Sequence, residues 1–326
     1  MKLYEGINKN NFLVIGRVGM DLFPDPPGTK IEEAKTILVG MGGSSANIAA
    51  GIVKLGGKAT LVTSVSDDAI GRYCLKQLNE YGVKTEHIKN VGGEARNSLA
   101  IYESILEGHQ SVIYRNGAAD FEMSEKDIEL VDFKSYGAVI TAGTVFAAEP
   151  SRSATFHAFA LARDAGLPIL FDVDYRPYSW PTAKVAEEVL SEAAALSDAV
   201  IGNDEEFEFM SGNRGVGLEK ARKIGKFYSS LVIYKMGEAG SITITRDDEF
   251  HTGIFPVTAL KPTGAGDSFM AGLVTSLANG FNLKQSVIRG SACASITVAK
   301  PGCAPAMADI EVLEDFLKNQ KGPISI

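Results

Sequence analysis

The sequence predicts an α/β fold with a mostly parallel central sheet and a small accessory sheet that acts as a lid. Apolar strand-like runs alternate with helix-like segments over most of the chain, which is typical of parallel strands joined by crossover helices. Two further strand-like runs, 97–103 and Ser111–Tyr114, are joined instead by the short polar turn GHQ. Such a turn predicts a hairpin, and a small sheet placed over an α/β core can close on a ligand.

The elements follow in order from the hydrophobic pattern. The first buried strand is NFLVI, Asn11–Ile15, and a helix capped by Ser44 or Ser45 ends at Gly56-Gly57. Further strands are expected at 59–65, 87–91, 136–143, 167–174, 198–203, 230–237 and 241–248. Further helices are expected at 67–82, 151–166, 185–197, 205–212, 266–280 and 286–300. Because no linker or internal repeat interrupts this order, we expect one domain over 1–326, with lid strands within about 17–40 and 95–116.

Composition argues against several classes of protein. Of the 326 residues, 45% are hydrophobic and 22% are charged, which is ordinary for a globular protein, and the net charge of −8 argues against a nucleic-acid binder. The three cysteines form no Cys-x-x-Cys pair, which favours a reducing, cytoplasmic location. No apolar run of about 18 residues occurs, so no membrane span is expected, and the four scattered histidines form no HExxH zinc motif.

A glycine-rich turn, KPTGAGD from Lys261 to Asp267, leads directly into a helix-like segment. Backbone amides at the start of a helix have no intrahelical acceptor, so those of 264–267 are expected to bind an anion. Asp267 is then placed to accept a proton from a substrate hydroxyl that attacks a phosphate. The alternative is a purely structural role, in which the glycines form a tight turn and Asp267 caps the helix.

Several segments resemble the signatures of the ribokinase-like (PfkB) carbohydrate kinases. PTGAGDSFMAGL resembles the C-terminal signature, and GRVGMDL, MGGSSANIAAGIVKLG and VSDDAIGRY resemble the substrate-side signature. Asn203-Asp-Glu-Glu206 matches the N-x-x-E motif, and the matches keep the family's order from Asn11 to about Leu317. The resemblance implies a three-layer α/β/α sandwich with a β-lid, ATP and Mg²⁺ as cofactors, and a homodimer formed through the lid.

The resemblance also implies roles for individual residues. The catalytic set is Asp267 with the anion hole Gly264, Ala265 and Gly266. The substrate-binding set is Asp21, Gly43, Asn47, Tyr102, Arg115 and Arg176. The set for ATP and Mg²⁺ is Asn203, Glu206, Lys235, Gly237, Thr263, Gly264 and Gly266, with the metal held through waters by Asn203 and Glu206. Adenine contacts are expected in the helix at 291–297 and the loop at 301–303.

Two segments favour a sugar acid as the substrate. YRNGAAD (114–120) ends the lid hairpin, and FDVDYRPYSW (171–180) ends a strand, where α/β sheets place ligands. Arg115 and Arg176 in these segments suit paired hydrogen bonds to a carboxylate, and a surface salt bridge is the alternative for each.

Both segments, with the late PAM (305–307), resemble the 5-dehydro-2-deoxygluconokinases of inositol catabolism, whereas Asp174 replaces an Asn found in 2-keto-3-deoxygluconate kinases. We therefore expect ATP-dependent phosphorylation of a primary hydroxyl on 5-dehydro-2-deoxy-D-gluconate. A 2-keto-3-deoxygluconate kinase and a fructokinase are the alternatives.

Rival classes of protein fit the sequence less well. A dinucleotide-binding dehydrogenase needs G-x-G-x-x-G/A, but the sixth position after the start at Gly40 is Ser45. A P-loop kinase needs GxxxxGK[ST], which occurs nowhere in the chain. A non-catalytic sugar sensor would be favoured by a degenerate site, whereas Asp267, Asn203 and the GAGD segment are intact.

Lys261 departs from the family pattern. Many members carry an aspartate at this position that contributes to a monovalent-cation site beside the anion hole. The lysine here carries a positive charge itself, where the aspartate would help to bind a positive ion. The sequence therefore predicts that the Lys261 ammonium substitutes for bound K⁺. The alternative is a lysine that points to solvent.

Overall fold

The computed structural model describes residues 2–105, 108 and 110–324. The strands are β1 (Asn11–Ile15), β2 (Gly19–Asp25), β3 (Thr36–Gly42), β4 (Lys58–Ser66), β5 (Lys84–Val91), β6 (Leu99–Tyr102), β7 (Ser111–Tyr114), β8 (Ala138–Ala142), β9 (Ile169–Asp172), β10 (Ala199–Asn203), β11 (Leu231–Lys235), β12 (Ser241–Thr245) and β13 (Glu249–Thr252). The helices are α1 (Lys2–Ile7), α2 (Ser44–Lys54), α3 (Ala69–Glu80), α4 (Glu125–Glu129), α5 (Ser151–Asp164), α6 (Ala183–Ala195), α7 (Asp204–Ser211), α8 (Gly217–Phe227), α9 (Ala265–Ala278), α10 (Leu283–Val298) and α11 (Ile310–Asn319).

The central sheet contains nine strands within these residues, in the order β13-β12-β11-β10-β9-β8-β1-β4-β5. Neighbours from β11 to β5 pair in parallel, whereas β12 runs antiparallel to both β11 and β13. The mostly parallel sheet is therefore confirmed, and so is the hairpin predicted at 230–248. Because the strands from β8 to β11 are parallel, their carboxyl ends meet at one edge of the sheet.

Helices cover both faces of the sheet. Phe12 and Val14 of β1 lie in an apolar core shared with α2, α9 and α10, whereas Leu13 and Ile15 lie in a second core shared with α5, α6 and α8. This alternation follows from the two-residue period of a strand, which sends successive side chains to opposite faces. The predicted three-layer α/β/α sandwich is confirmed.

The lid is a separate sheet of four strands among the described residues, in the order β3-β2-β6-β7. β2 pairs antiparallel with β3 and parallel with β6, and β6 pairs antiparallel with β7 as the predicted hairpin requires. The predicted GHQ turn of that hairpin includes His109, which lies outside the described residues. The predicted small accessory sheet is confirmed.

The sequence prediction failed at several local points. The helices α1, α4 and α8 and the strand β13 were not predicted, because α8 is largely charged and the others are very short. The predicted serine cap of α2 is wrong, since the N-cap is Gly43 and no side chain caps this helix among the described residues. Ser45 Oγ donates instead to the Ile15 carbonyl at 3.0 Å, and Ser44 Oγ donates to Asp174. None of the helices described is both long and apolar enough to span a bilayer.

Candidate active site

The predicted anion-binding turn lies at the N-terminus of α9. Its N-cap residue, Gly264, has φ = 84°, a left-handed conformation that glycine adopts without strain. No side chain of the described residues caps this helix. The Ala265 amide makes a long hydrogen bond of 3.4 Å to the Pro262 carbonyl, so the amides of Gly266 and Asp267 are the ones most available to a ligand. A Cβ at Gly264 would lie 3.4 Å from Cys303 Sγ, so the turn is packed from one side. Together with the helix dipole, these amides form a preorganised site for phosphate oxygens.

Asp267 is half-buried in the first turn of α9, where Asn47 Nδ2 donates a hydrogen bond to its Oδ2 at 2.9 Å. Burial, together with the negative charges of Asp174 and Asp172, raises the pKa of the Asp267 carboxyl to about 7. The hydrogen bond from Asn47 opposes this shift because it stabilises the anion. A carboxylate with this pKa is well matched to accept a proton near neutral pH.

Lys235 and Asp172 lie beside the same turn, at the carboxyl ends of β11 and β9. A Cβ added to Gly266 would lie 3.1 Å from Lys235 Nζ and 3.7 Å from Asp172 Oδ2. The ammonium therefore approaches the backbone of the turn closely because residue 266 has no side chain. Lys235 thus adds a positive charge next to the open amides, as phosphate binding favours.

Asn203 and Glu206 form a reciprocal cap at the start of α7. The Glu206 amide donates to Asn203 Oδ1 and the Asn203 amide donates to Glu206 Oε2, each at 2.8 Å. The amide of Tyr175 donates to the other oxygen, Oε1, at 3.2 Å. Burial raises the pKa of Glu206 to about 7, and the charge of Lys235 opposes the shift. Each carboxylate oxygen keeps a second lone pair, with which it can accept a water.

Asp21, which was predicted to bind the substrate, projects from β2 and is 2% exposed. Its Oδ1 is buried and has no hydrogen-bond partner among the described residues, which suits a group that receives a substrate hydroxyl. Burial raises the pKa of Asp21 to about 6, and the charge of Arg17 opposes the shift. Tyr102 lies near both charges, and burial raises the pKa of its hydroxyl. Gly43 has φ = 98°, and a Cβ there would lie 2.5 Å from the Arg17 carbonyl oxygen.

Arg115 and Arg176 are both paired with carboxylates of the protein. Arg115 is 6% exposed and donates to Asp120 and to the Thr144 carbonyl oxygen. Arg176 lies 2.8 Å from Asp174 and has a side chain that is 45% exposed. Both arginines predicted to bind substrate therefore already have a counterion in the protein.

Lys261 is 1% exposed, so the solvent-facing alternative is wrong. Its ammonium donates to the carbonyl oxygens of Thr263 at 2.6 Å and of Thr297 at 3.5 Å. Burial lowers the pKa of Lys261, and the neighbouring Cys303, Asp21 and Asp267 oppose the shift. A fixed cation therefore lies between two backbone carbonyls next to the anion-binding turn.

The hydroxyl groups predicted to lie near the adenine are hydrogen-bonded to other groups of the protein. The hydroxyls of Ser291, Ser295 and Thr297 donate hydrogen bonds inside the protein, at 3.4, 3.0 and 2.8 Å. Gly237 follows β11 as an exposed residue with φ = 56°. The contacts to adenine stay a prediction.

Three charged residues of the site were given no role by the sequence analysis, namely Arg17, Asp172 and Asp174. Arg17 follows the end of β1 by two residues, and Asp172 ends β9. Asp174 has φ = 35°, which is uncommon for a residue other than glycine. The position of all three at strand ends was a signal that could have identified them.

These residues fit ATP with Mg²⁺. The open amides and Lys235 supply donors for phosphate oxygens, and Glu206 supplies acceptors for metal-bound water. In the described part of the chain, no group of three or more His, Cys, Asp or Glu side chains is arranged to hold an ion alone. A magnesium ion at this site would rely on phosphates and waters, which is its usual coordination in kinases.

The chain is similar to known carbohydrate kinases. Residues 9–310 match the family model described as pfkB family carbohydrate kinase. A protein from Photobacterium profundum named 5-dehydro-2-deoxygluconokinase is 37% identical over 315 residues, which is 95% of each chain. A protein of the same name from Geobacillus kaustophilus is 33% identical over 316 residues, which is 95% of this chain and 94% of the relative.

Solved structures share the fold. Fructokinase from Xylella fastidiosa with bound ATP superposes with a TM-score of 0.84 at 21% identity, covering 95% of this chain and 98% of that one. A double mutant of fructokinase from Vibrio cholerae O395, with fructose, ADP and potassium ion bound, gives a TM-score of 0.82 at 23% identity, covering 94% and 98%. With the family match over 9–310, it follows that the chain belongs to the pfkB family of carbohydrate kinases.

Proposed function

We propose that this protein is an ATP-dependent kinase that phosphorylates the primary 6-hydroxyl of 5-dehydro-2-deoxy-D-gluconate, a step of myo-inositol catabolism. The observation that carries the proposal is the position of Asp267, whose pKa is about 7, in a helix start that no described side chain caps. Phosphoryl transfer to an alcohol needs a base for the hydroxyl and donors for the phosphoryl charge at one point. The shared name of the relatives supplies the substrate.

In this reaction, Asp267 accepts the proton of the primary hydroxyl as the oxygen attacks the γ-phosphate. Asn47 orients the carboxylate through its 2.9 Å hydrogen bond. The amides of Gly266 and Asp267 stabilise the negative charge of the transferring group, with Lys235 beside them. Mg²⁺, when bound, would neutralise part of the phosphate charge. The lid excludes water, so that ATP is not lost to hydrolysis.

The substrate is tested by following conversion of ATP to ADP with 5-dehydro-2-deoxygluconate, 2-keto-3-deoxygluconate, fructose, ribose and adenosine as acceptors. Turnover on the first acid is the expected result. Turnover on the second acid alone would move the assignment to that sugar acid, and turnover on fructose or ribose alone would contradict an acidic substrate. Binding of a sugar without ATP consumption would instead favour the non-catalytic sensor.

The rate is expected to depend on the ionisation of Asp267. Because its carboxyl has a pKa of about 7 and must be deprotonated to act as a base, kcat/KM should rise about tenfold between about pH 6 and pH 8. The control Asp21→Asn should keep this rise, since the pKa of Asp21 is about 6 and its role is to bind a hydroxyl. Asn47→Ala should move the rise to higher pH, because the lost hydrogen bond stabilised the anion. A flat profile of kcat/KM against pH would contradict the assigned base.

We also propose that Lys261 replaces a bound monovalent cation. The support is its buried ammonium between the carbonyls of Thr263 and Thr297, whereas a fructokinase of the same fold binds a potassium ion. Turnover should stay constant when K⁺ is exchanged for choline at constant ionic strength. Lys261→Met should lose about 30-fold in kcat, partly restored by added K⁺, and the control Lys220→Met should lose none. Strong activation of the wild type by K⁺ would contradict this proposal.

For assembly, we propose that two copies pair through their lids. The support is a row of exposed apolar side chains on the edge strand β3, where Ile37, Leu38 and Val39 are 45, 50 and 56% exposed. Analytical ultracentrifugation should give twice the chain mass, and a monomer at assay concentrations would contradict the proposal.

A cytoplasmic location is supported by three free, buried cysteines.

A further inference from the structure

We propose that Arg17 is the specificity-determining residue of the sugar side and that its guanidinium binds the carboxylate of the substrate. Arg17 follows β1 and is 5% exposed. The proposal rests on the sugar-acid substrate put forward above and names the group that recognises the acid.

The other two arginines of the pocket are already neutralised. Arg115 donates to Asp120 and to a backbone carbonyl, and its guanidinium lies over the ring of Phe121 at 4.1 Å. Arg176 pairs with Asp174 at 2.8 Å and donates to the backbone carbonyl of Tyr175 at 3.0 Å. An arginine held by a protein carboxylate has fewer donors and less net charge to offer a substrate.

Arg17 differs from both because its hydrogen-bond partner is neutral. Its Nη1 donates to Ser98 Oγ at 2.9 Å, its Nε is buried without a partner, and no carboxylate forms an ion pair with it among the described residues. A buried cation that no carboxylate contacts directly can still form an ion pair, so this position favours an anionic ligand. The carboxylates of Asp21, Asp120 and Asp174 act on Arg17 without an ion pair. Asp120 and Asp174 pair with the other two arginines, and Asp21 is proposed to hold a substrate hydroxyl.

The backbone packs closely around Arg17, and Ser98 fixes one end of its guanidinium. A Cβ at Gly19 would lie 3.3 Å from Arg17 Nη1, and a Cβ at Gly43 would lie 2.5 Å from the Arg17 carbonyl oxygen. Two glycines therefore let the backbone close around Arg17, while Ser98 holds one end of the side chain. Asp21, with its free Oδ1, is left to receive a hydroxyl of the same molecule.

This arrangement predicts how acids and neutral sugars are distinguished. A carboxylate would form an ion pair with the guanidinium of Arg17, whereas a neutral sugar would leave Arg17 without one. The discrimination should therefore depend on Arg17 and appear in KM, because the carboxylate is bound equally before and during phosphoryl transfer.

The test uses 5-dehydro-2-deoxygluconate and its neutral analogue with a C1 alcohol in place of the carboxylate. Arg17→Gln removes the charge and keeps a donor for Ser98, so KM for the acid should rise about 50-fold with kcat nearly unchanged. The value of kcat/KM for the alcohol should stay within about threefold of the wild type. Arg17→Lys keeps the charge, so its KM for the acid should rise less than that of Arg17→Gln. It also provides a second variant if Arg17→Gln does not fold. Arg289→Met is the matched control, since Arg289 is 7% exposed and pairs with Glu314 outside the site.

Equal losses for the acid and the alcohol would overturn the proposal and make Arg17 a structural residue. Unchanged preference for the acid in Arg17→Gln would also overturn it. Calorimetric binding of the acid separates this proposal from the proposed function. A wild type that binds the acid without phosphorylating it would refute the kinase assignment, while lost binding in Arg17→Gln would still support the role of Arg17. A wild type that does not bind the acid would overturn both.

Discussion

Asp267→Asn is expected to lower kcat by about 10³-fold while the enzyme still binds MgATP. Asparagine has nearly the same shape, and its carbonyl oxygen can still accept the hydrogen bond that Asn47 Nδ2 donates at 2.9 Å. It cannot accept the proton of the attacking hydroxyl. The coupled assay gives kcat, and calorimetric titration of MgATP shows whether the anion-binding turn is intact.

The stability of this variant provides the control. The pKa of Asp267 is about 7 in the folded protein against an ordinary 3.8, so between these values the folded state binds more protons than the unfolded state. The contribution of Asp267 to stability therefore falls as the pH rises from 3.8 to about 7. Asparagine does not ionise, so the variant does not lose this stability as the pH rises. It should therefore be at least as stable as the wild type at pH 8. Wild-type turnover would exclude Asp267 as the base, and loss of ATP binding would show that the turn had been disrupted.

The parts of the fold that could be predicted are those whose burial leaves a simple pattern. Strands β8 to β11 are buried on both faces of a parallel sheet and are therefore predominantly apolar, as in AVITA and LVIYK. The helix α8, GLEKARKIGKF, buries a narrow stripe that includes Ala221 and Ile224 between charged residues, and it was not predicted. The start of α2 was misjudged because a serine that looks like a cap was needed elsewhere, and Ser44 donates to Asp174, 130 positions away.

The candidate active site, like the fold, could be predicted from the sequence only in part. The anion-binding turn and Asp267 are contiguous in sequence, so their chemistry could be predicted from one segment, although the roles assigned to them stay predictions. Arg115 and Arg176 could be proposed as carboxylate ligands from their positions after strands, but the ion pairs of both arginines depend on side-chain directions that sequence does not specify. Arg17 is a single arginine after a short strand, and its lack of an ion-pair partner among the described residues appears only when the folded pocket is known.

Gly42→Ala is expected to lower kcat/KM for the sugar by about 100-fold while leaving ATP binding unchanged. Gly42 ends β3 of the lid, and a Cβ there would lie 1.8 Å from Asp21 Oδ1 and 2.1 Å from Asp21 Cγ. Since Cβ atoms essentially never approach another atom closer than 3.0 Å, the carboxylate of Asp21 must move by more than about 1 Å. A misplacement of this size in a substrate-positioning group costs about two orders of magnitude in rate.

Gly40→Ala is the matched control for this steric argument. Gly40 lies two positions earlier on the same strand, and a Cβ there would make an ordinary 3.5 Å contact with Phe23. Steady-state kinetics should therefore show nearly wild-type values for Gly40→Ala and a raised KM for the sugar in Gly42→Ala, with similar melting temperatures for both. Equal kinetics in the two variants would mean that Asp21 need not occupy its present position to bind the substrate. In that case the sugar hydroxyls would have to be held by other groups of the pocket, and the role of the lid strand would be to exclude water rather than to position Asp21.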